Sequence, residues 1–236
     1  MKSTESLAVF AIIATVVCSF IYFIILEKIK GNKNDQSQEQ LINRYAWRKI
    51  SGFLVLGLIP AILAGVVFGF TPWEAGLTFG GSARLWPWIA GASIFFIILN
   101  VFNSKNAGLR AMYPELRLKE WDLSRLFIAV AGWVLYLTAY EYLFRGILLL
   151  SCLDAFGLWP AVTINLALYA ALHLPKGMKE AIAAIPFGAL ICYLTIESRS
   201  ILPAVFLHSL QAVSNELFCI YRNLDMEYNF FKRIQI

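Results

Sequence analysis

Apolar runs of about twenty residues recur along the chain, and they limit its possible folds more than any other feature. A helix of roughly that length is needed to cross the hydrocarbon core of a bilayer. Membrane β-barrels instead show short segments of alternating polarity, a pattern that the sequence lacks. The sequence therefore predicts an all-α, polytopic membrane helix bundle. About seven transmembrane helices are expected, over residues 7–26, 50–70, 86–102, 123–153, 158–174, 181–196 and 201–221.

The composition agrees with a membrane protein. Hydrophobic residues make up 59% of the chain and charged residues 15%, whereas a soluble domain has about 25% charged residues. The net charge is +5, and most of the Lys and Arg residues fall in loops on one side of the predicted helices. The positive-inside rule makes that side cytoplasmic, which gives an N-out/C-in orientation. The basic charge thus reflects topology rather than nucleic-acid binding, and the expected partner is membrane lipid.

Differences in composition divide the chain into three regions. Residues 1–49 are predicted to form an N-terminal anchor helix and a basic polar linker, which includes the low-complexity piece 32–40. Residues 50–122 hold accessory transmembrane helices and a cytoplasmic loop, and residues 123–236 form a helical core and a basic tail. The cysteines have no C-x-x-C spacing and are predicted to be small core residues rather than disulfides or metal ligands. They are Cys18, Cys152, Cys192 and Cys219.

Two charged residues interrupt the apolar run of the fourth predicted helix. Glu141 and Arg145 are four residues apart, so they share one helix face. A charge at the centre of a bilayer costs at least about 2.5–3.5 kcal/mol, which makes such a residue a candidate for function. The only two histidines of the chain, His173 and His208, also lie in apolar runs.

The expected depths of these residues decide whether they can meet. At about 1.5 Å per residue, Glu141 and His208 lie roughly 12–13 Å from the outer ends of their helices. His173 lies deeper by the same count, roughly 22 Å from the outer end of its helix. A tilted or broken helix could close this difference.

A carboxylate and two imidazoles in a dry cavity could form a hydrolytic site. Glu141 could activate water, a histidine could assist it or stabilise an oxyanion, and Arg145 could orient Glu141 or bind a substrate carboxylate. Glu141, His173 and His208 are also a sufficient ligand set for a catalytic Zn²⁺ ion. Two structural explanations stay open, since the ion pair could join helices and each histidine could be a hydrogen-bonded core residue. A small transporter that uses Glu141 as a proton relay is a further class, although no inverted repeats are detectable.

Three short motifs resemble one family of membrane proteins. The run from Glu141 to Gly146 is similar to E-E-x-x-x-R, and the run from Tyr169 to His173 is similar to F-x-x-x-H. The run that ends at His208 resembles the start of the third motif, H-x-x-x-N or H-x-x-x-D. These are the motifs of the CPBP (Abi) family, which includes the type II CAAX prenyl endopeptidases and the bacteriocin-processing and self-immunity membrane proteins.

The resemblance implies an intramembrane endopeptidase, a hydrolase that cleaves lipidated or membrane-embedded peptides in a prokaryotic cell membrane. In this family the first glutamate and the F-x-x-x-H histidine, here His173, are thought to activate water. The last histidine, here His208, and its Asn are thought to form the oxyanion site. A metalloprotease with Zn²⁺ has also been considered for the family, which would make Glu141, His173 and His208 the ligands.

The sequence departs from the family motifs at two positions that matter for this chemistry. Tyr140 replaces the first glutamate, and a phenol with a reference pKa near about 10 is a poor base. Ala212 stands where the family has Asn or Asp. Glu141 could replace the lost base, and Asn215, on the same helix face as His208, could replace the lost amide. The alternative is a non-catalytic relative that binds a peptide or a partner, for example in bacteriocin immunity.

Overall fold

The computed structural model describes residues 4–29, 37–79 and 83–228, and most of them are helical. A short parallel pair of strands, β1 (Glu120–Trp121) and β2 (Glu227–Tyr228), joins the start of the fifth helix to the C-terminal segment. The predicted all-α bundle is confirmed. The helices are α1 (Thr4–Ile29), α2 (Gln38–Phe68), α3 (Trp86–Asn103), α4 (Ala107–Met112), α5 (Leu123–Phe156), α6 (Leu158–His173), α7 (Met178–Ser198) and α8 (Leu202–Tyr221).

Six helices in the described part of the chain are long and apolar enough to cross a membrane, which makes the protein an integral membrane protein. They are α1, α2, α3 with the preceding turn, α5, α6 with the following turn, and α7. Seven were expected from the sequence. The difference is α8, because His208, Gln211, Asn215 and Glu216 make it more polar than the others. α8 nevertheless packs in the bundle against α3, α5 and α7. The N-out/C-in orientation stays a prediction.

The second helix begins earlier than predicted, inside the region interpreted as a linker. Ser37 caps the N-terminus of α2, since its hydroxyl accepts a hydrogen bond from the backbone of Gln40 and the Gln40 side chain accepts one from the backbone of Ser37. This capping box supplies partners to two backbone N–H groups that a helix start leaves open. Residues 38–49 of the predicted region 1–49 are therefore helical. Residues 30–36 of that linker and 229–236 of the basic tail lie outside the described residues.

Both α2 and α5 contain a π-helical segment, Phe53–Leu58 and Tyr142–Leu150, and the two segments pack against each other. Such segments are rare and often occur at functional sites. A side-chain network supports the second segment: Asn165 donates to the Phe144 carbonyl at 2.7 Å, and the Cys192 thiol donates to Asn165 at 3.3 Å. All four cysteines are free and buried, which confirms their prediction as core residues.

Gly146 allows the loop before α3 to lie directly against α5. A Cβ atom at this position would come within 2.5 Å of the Ala75 carbonyl oxygen, a backbone atom that cannot rotate away. We expect Gly146→Ala to lower the free energy of unfolding by about 1–3 kcal/mol, the usual cost of overpacking. Thermal unfolding in detergent measures the effect. The control is Gly91→Ala in α3, where a Cβ meets nothing within 4 Å, and a Gly146→Ala variant as stable as this control would contradict the prediction.

Candidate active site

The structure brings three of the predicted site residues into direct contact. Nδ1 of His208 lies 2.5 Å from Oε1 of Glu141, and Nη1 of Arg145 lies 3.1 Å from Oε2 of the same carboxylate. Glu141 and Arg145 are fully buried, and the His208 side chain is 13% exposed. One oxygen of the Glu141 carboxylate thus contacts His208, and the other contacts Arg145. The predicted equal depths of Glu141 and His208 agree with this contact.

Arg145 is held on its other face by an aromatic ring. Its guanidinium carbon lies 4.4 Å from the centre of the Tyr169 ring. A guanidinium over an aromatic face gains electrostatic energy that grows when water is excluded. Arg145 therefore sits between Glu141 and Tyr169 and fixes α5 against α6.

His173 lies at the last residue of α6, where Pro175 follows in a single 3₁₀ turn. Its Nδ1 atom is 2.8 Å from the backbone carbonyl oxygen of Tyr169, one turn earlier. The Tyr169 ring contacts both imidazoles, with centroid distances of 4.6 Å to His173 and 6.2 Å to His208. The end of α6 thus brings His173 to the same aromatic residue that contacts His208.

A cavity of about 210 Å³ joins these side chains. It has ample room for water, since a single molecule needs only about 10–15 Å³ of such volume. Glu141 and Arg145 are not among the described residues that line it. The lining at the imidazole end is Tyr140, Tyr169, His173, Phe187, His208, Ala212 and Asn215.

The hydrogen bonds of the two histidines define which ring nitrogens carry hydrogen. A carbonyl oxygen only accepts, so Nδ1 of His173 donates to Tyr169. An ionised carboxylate also only accepts, so Nδ1 of His208 donates to Glu141. In the neutral form of each ring Nε2 is then the unprotonated nitrogen. The arrangement therefore offers two imidazole bases at one cavity.

The far end of the cavity holds charges that the sequence analysis did not identify. Nζ of Lys49, with a side chain only 4% exposed, lies 2.8 Å from Glu115 and 3.3 Å from the centre of the Trp133 ring. Arg48 lies 3.3 Å from the other Glu115 oxygen. Glu216 accepts hydrogen bonds from the backbone of Glu115 and of the next residue. The signal for this cluster was weak, because its residues lie far apart in the sequence and come from a helix start, a loop and the helix α8.

The ion pair at Glu115 should make stability depend on pH. Burial disfavours the charge of Glu115, but Lys49 and Arg48 outweigh this effect and hold the pKa of the carboxyl below its usual range. A carboxyl whose pKa is lower in the folded than in the unfolded state stabilises the fold at any pH above its unfolded pKa. This stabilisation is lost as the pH falls through the folded-state pKa. We expect Glu115→Gln to lower the free energy of unfolding by about 1.5–3 kcal/mol at neutral pH.

The same variant should lose less stability than the wild type on acidification from about pH 5 to pH 3. Thermal unfolding at a series of pH values measures both effects. Glu120→Gln, at a carboxylate whose side chain is 52% exposed, is the matched control and should change little. Parallel acid profiles for the wild type and Glu115→Gln would contradict the assignment.

The residues do not fit the zinc site that the sequence permitted. Across residues 4–29, 37–79 and 83–228, no group of three or more His, Cys, Asp or Glu side chains is arranged to hold a metal ion. The reason is the position of Glu141, because its two oxygens face Arg145 and His208 instead of converging with His173. His173 and His208 without the Glu141 carboxylate are only two ligands, and a catalytic zinc site needs three.

Comparison with known proteins agrees with the motifs. Residues 120–214 match the model of a family described as "Type II CAAX prenyl endopeptidase Rce1-like". This range includes Glu141, Arg145, His173 and His208, and it ends one residue before Asn215. No curated protein and no solved structure matches the chain. Residues 120–214, which hold most of the residues at the imidazole end of the cavity, are therefore similar to the Rce1-like type II CAAX prenyl endopeptidases.

Proposed function

We propose that the protein is an intramembrane endopeptidase that hydrolyses lipidated or membrane-embedded peptides in a prokaryotic cell membrane. The observation that carries the proposal is the placement of two imidazoles on one cavity with both Nδ1 atoms occupied. Each neutral ring then has its Nε2 atom available for proton transfer. The match of residues 120–214 to a peptidase family adds to this argument.

His173 is the best candidate for the general base. Its Nδ1 hydrogen is directed to a backbone carbonyl, so its Nε2 atom can take a proton from a water molecule in the cavity. No carboxylate of the described residues contacts His173 within ion-pair distance. A water activated in this way can attack the carbonyl carbon of a bound peptide. Asn215 lines the same cavity and can donate a hydrogen bond from its amide.

Glu141 and Arg145 act as positioning residues in this proposal. Both are fully buried and neither lines the cavity, so the carboxylate reaches the reaction only through Nδ1 of His208. The contact orients the imidazole and stabilises it when it becomes protonated. This geometry favours the orienting role for Glu141 over the role of water-activating base.

The test is cleavage by the purified protein in proteoliposomes. The substrate is a peptide with an S-farnesyl cysteine followed by three residues, and the control is the same peptide without the farnesyl group. We expect hydrolysis of the farnesylated peptide and little or none of the control, because only the lipid places the peptide in the bilayer. Equal rates for the two peptides would contradict a membrane substrate. A bacteriocin-leader peptide in the same assay tests the second substrate class.

A second candidate function is a peptide-binding relative without catalysis. It is favoured by Tyr140 and Ala212, which replace two functional residues of the family motifs on the wall of this cavity. The double variant Tyr140→Glu with Ala212→Asn restores both motif residues. A silent wild-type protein whose double variant cleaves the farnesylated peptide would favour the non-catalytic relative, whereas cleavage by the wild type would reject it.

A further inference from the structure

Tyr140 has an unusual position for a buried phenol. It is 6% exposed, lines the cavity and stacks on Phe144 with a centroid distance of 4.5 Å. Its ring makes T-shaped contacts with His208 and Tyr169, with centroid distances of 5.7 and 6.1 Å. Its hydroxyl makes no hydrogen bond to any of the residues that the structure describes. A buried polar group without a partner is costly, so packing alone does not account for a tyrosine here.

The chemistry of a phenol suits donation rather than proton abstraction. With a reference pKa near about 10, a phenol keeps its hydrogen at neutral pH. It can therefore give a hydrogen bond to an oxygen that gains negative charge, as the donors of oxyanion sites do. The imidazole that Tyr140 contacts is the one held by Glu141, so the Tyr140 ring lies at the imidazole end of the cavity.

The α8 wall of the cavity lacks a donor at one position of the family motif. Ala212 lies one turn after His208 on α8 and lines the cavity, but its methyl group has nothing to donate. Asn215 follows one turn later on the same face. Near His208, the cavity wall thus offers the Tyr140 side chain of α5 as a polar group, whereas Ala212 of α8 offers none.

We infer that the Tyr140 hydroxyl donates a hydrogen bond to the oxyanion that forms from the carbonyl oxygen of the scissile peptide bond. The inference rests on the proposed peptidase function and adds a catalytic residue to it. It also gives one account of both sequence departures, since Tyr140 supplies the donor that Ala212 does not. Tyr140 then takes over the function of an amide on α8, not that of the glutamate which it replaces.

The chemical step balances without another reactant. Nε2 of His173 takes a proton from water, and the water oxygen bonds to the carbonyl carbon while the C=O π electrons move to the oxygen. Tyr140 donates a hydrogen bond to this oxyanion and keeps its proton. When the C–N bond breaks, the amine nitrogen takes the proton from His173. One water and one peptide bond give one carboxylic acid and one amine.

The test is Tyr140→Phe, which removes only the hydroxyl, assayed with the farnesylated peptide in proteoliposomes. We expect kcat to fall by about 10²–10³-fold with little change in KM, the effect of losing one oxyanion donor. The matched control is Tyr142→Phe, a neighbouring buried tyrosine at the start of the π-helical segment that does not line the cavity. This control should cleave at the wild-type rate.

A binding measurement separates this inference from the proposed function. The probe is the farnesyl peptide with an aldehyde at the scissile carbonyl, whose hydrate resembles the tetrahedral intermediate. We expect Tyr140→Phe to weaken binding of the aldehyde by tenfold or more, roughly one lost hydrogen bond, and to leave binding of the parent peptide unchanged. Wild-type rates in Tyr140→Phe, or equal aldehyde affinities, would overturn the inference. A silent wild type with Tyr140-dependent aldehyde binding would reject the peptidase function but keep the donor assignment.

Discussion

Replacing His173 by alanine is expected to lower kcat for the farnesylated peptide by about 10²–10⁴-fold, the contribution of a positioned general base. The reason is the loss of the His173 Nε2 atom, the proposed base, whose ring is held by the hydrogen bond from Nδ1 to a backbone carbonyl. KM should change little, because the imidazole acts on water rather than on the bound peptide. Initial rates in proteoliposomes over a range of peptide concentrations separate kcat from KM.

The stability of this variant should stay close to that of the wild type. The His173 side chain bonds only within its own helix and is partly exposed, so its removal leaves no buried charge. Thr163→Ala, at an exposed position of the same helix, is the control and should keep full activity. A His173→Ala variant that cleaves at the wild-type rate would exclude His173 as the base.

The second large effect is expected at Glu141, where substitution should destabilise the fold itself. Glu141→Gln leaves Arg145 fully buried without its counter-charge. Breaking a buried ion pair by removing one partner costs about 3–5 kcal/mol of folding free energy. The variant should therefore unfold at a much lower temperature and lose activity, which thermal unfolding in detergent and the cleavage assay measure together.

Two further variants separate charge burial from general damage. The double variant Glu141→Gln with Arg145→Met removes both charges and should recover most of the lost stability, but not the activity, since His208 still lacks its carboxylate. Asp154→Asn removes an acid from an exposed pair with Arg199 and should change the free energy by at most about 1 kcal/mol. A Glu141→Gln variant as stable as Asp154→Asn would contradict the buried pair.

The sequence predicted the bundle well because membrane helices have a strong local signal. Runs of apolar residues identified α1, α3, α5, α6 and α7 within a few residues. The signal failed where a helix was polar: 37–49 has the charge of a loop, and only its capping box marks a helix start. In α8, four polar side chains reduce the hydropathy of a helix that still packs in the bundle.

The candidate site was partly predictable for a different reason. Charges and histidines are rare in apolar runs, so Glu141, Arg145, His173 and His208 could be selected without a structure. Their roles were not predictable, because the direction of each side chain depends on helix rotation. Neighbouring positions on a helix differ by about 100°, and this turn directs Glu141 away from the cavity and brings Tyr140 to its wall. The π-helical segment that follows was not visible in the hydrophobic pattern.

The central claim is hydrolysis of a membrane peptide in the cavity that His173 and His208 line. Mass spectrometry of the farnesylated peptide after incubation with the wild-type proteoliposomes tests it most directly. The account predicts two fragments whose masses sum to that of the peptide plus one water, with formation that continues in the presence of a metal chelator. If the peptide is recovered intact, bound to the protein in a one-to-one ratio and without fragments, the account is contradicted.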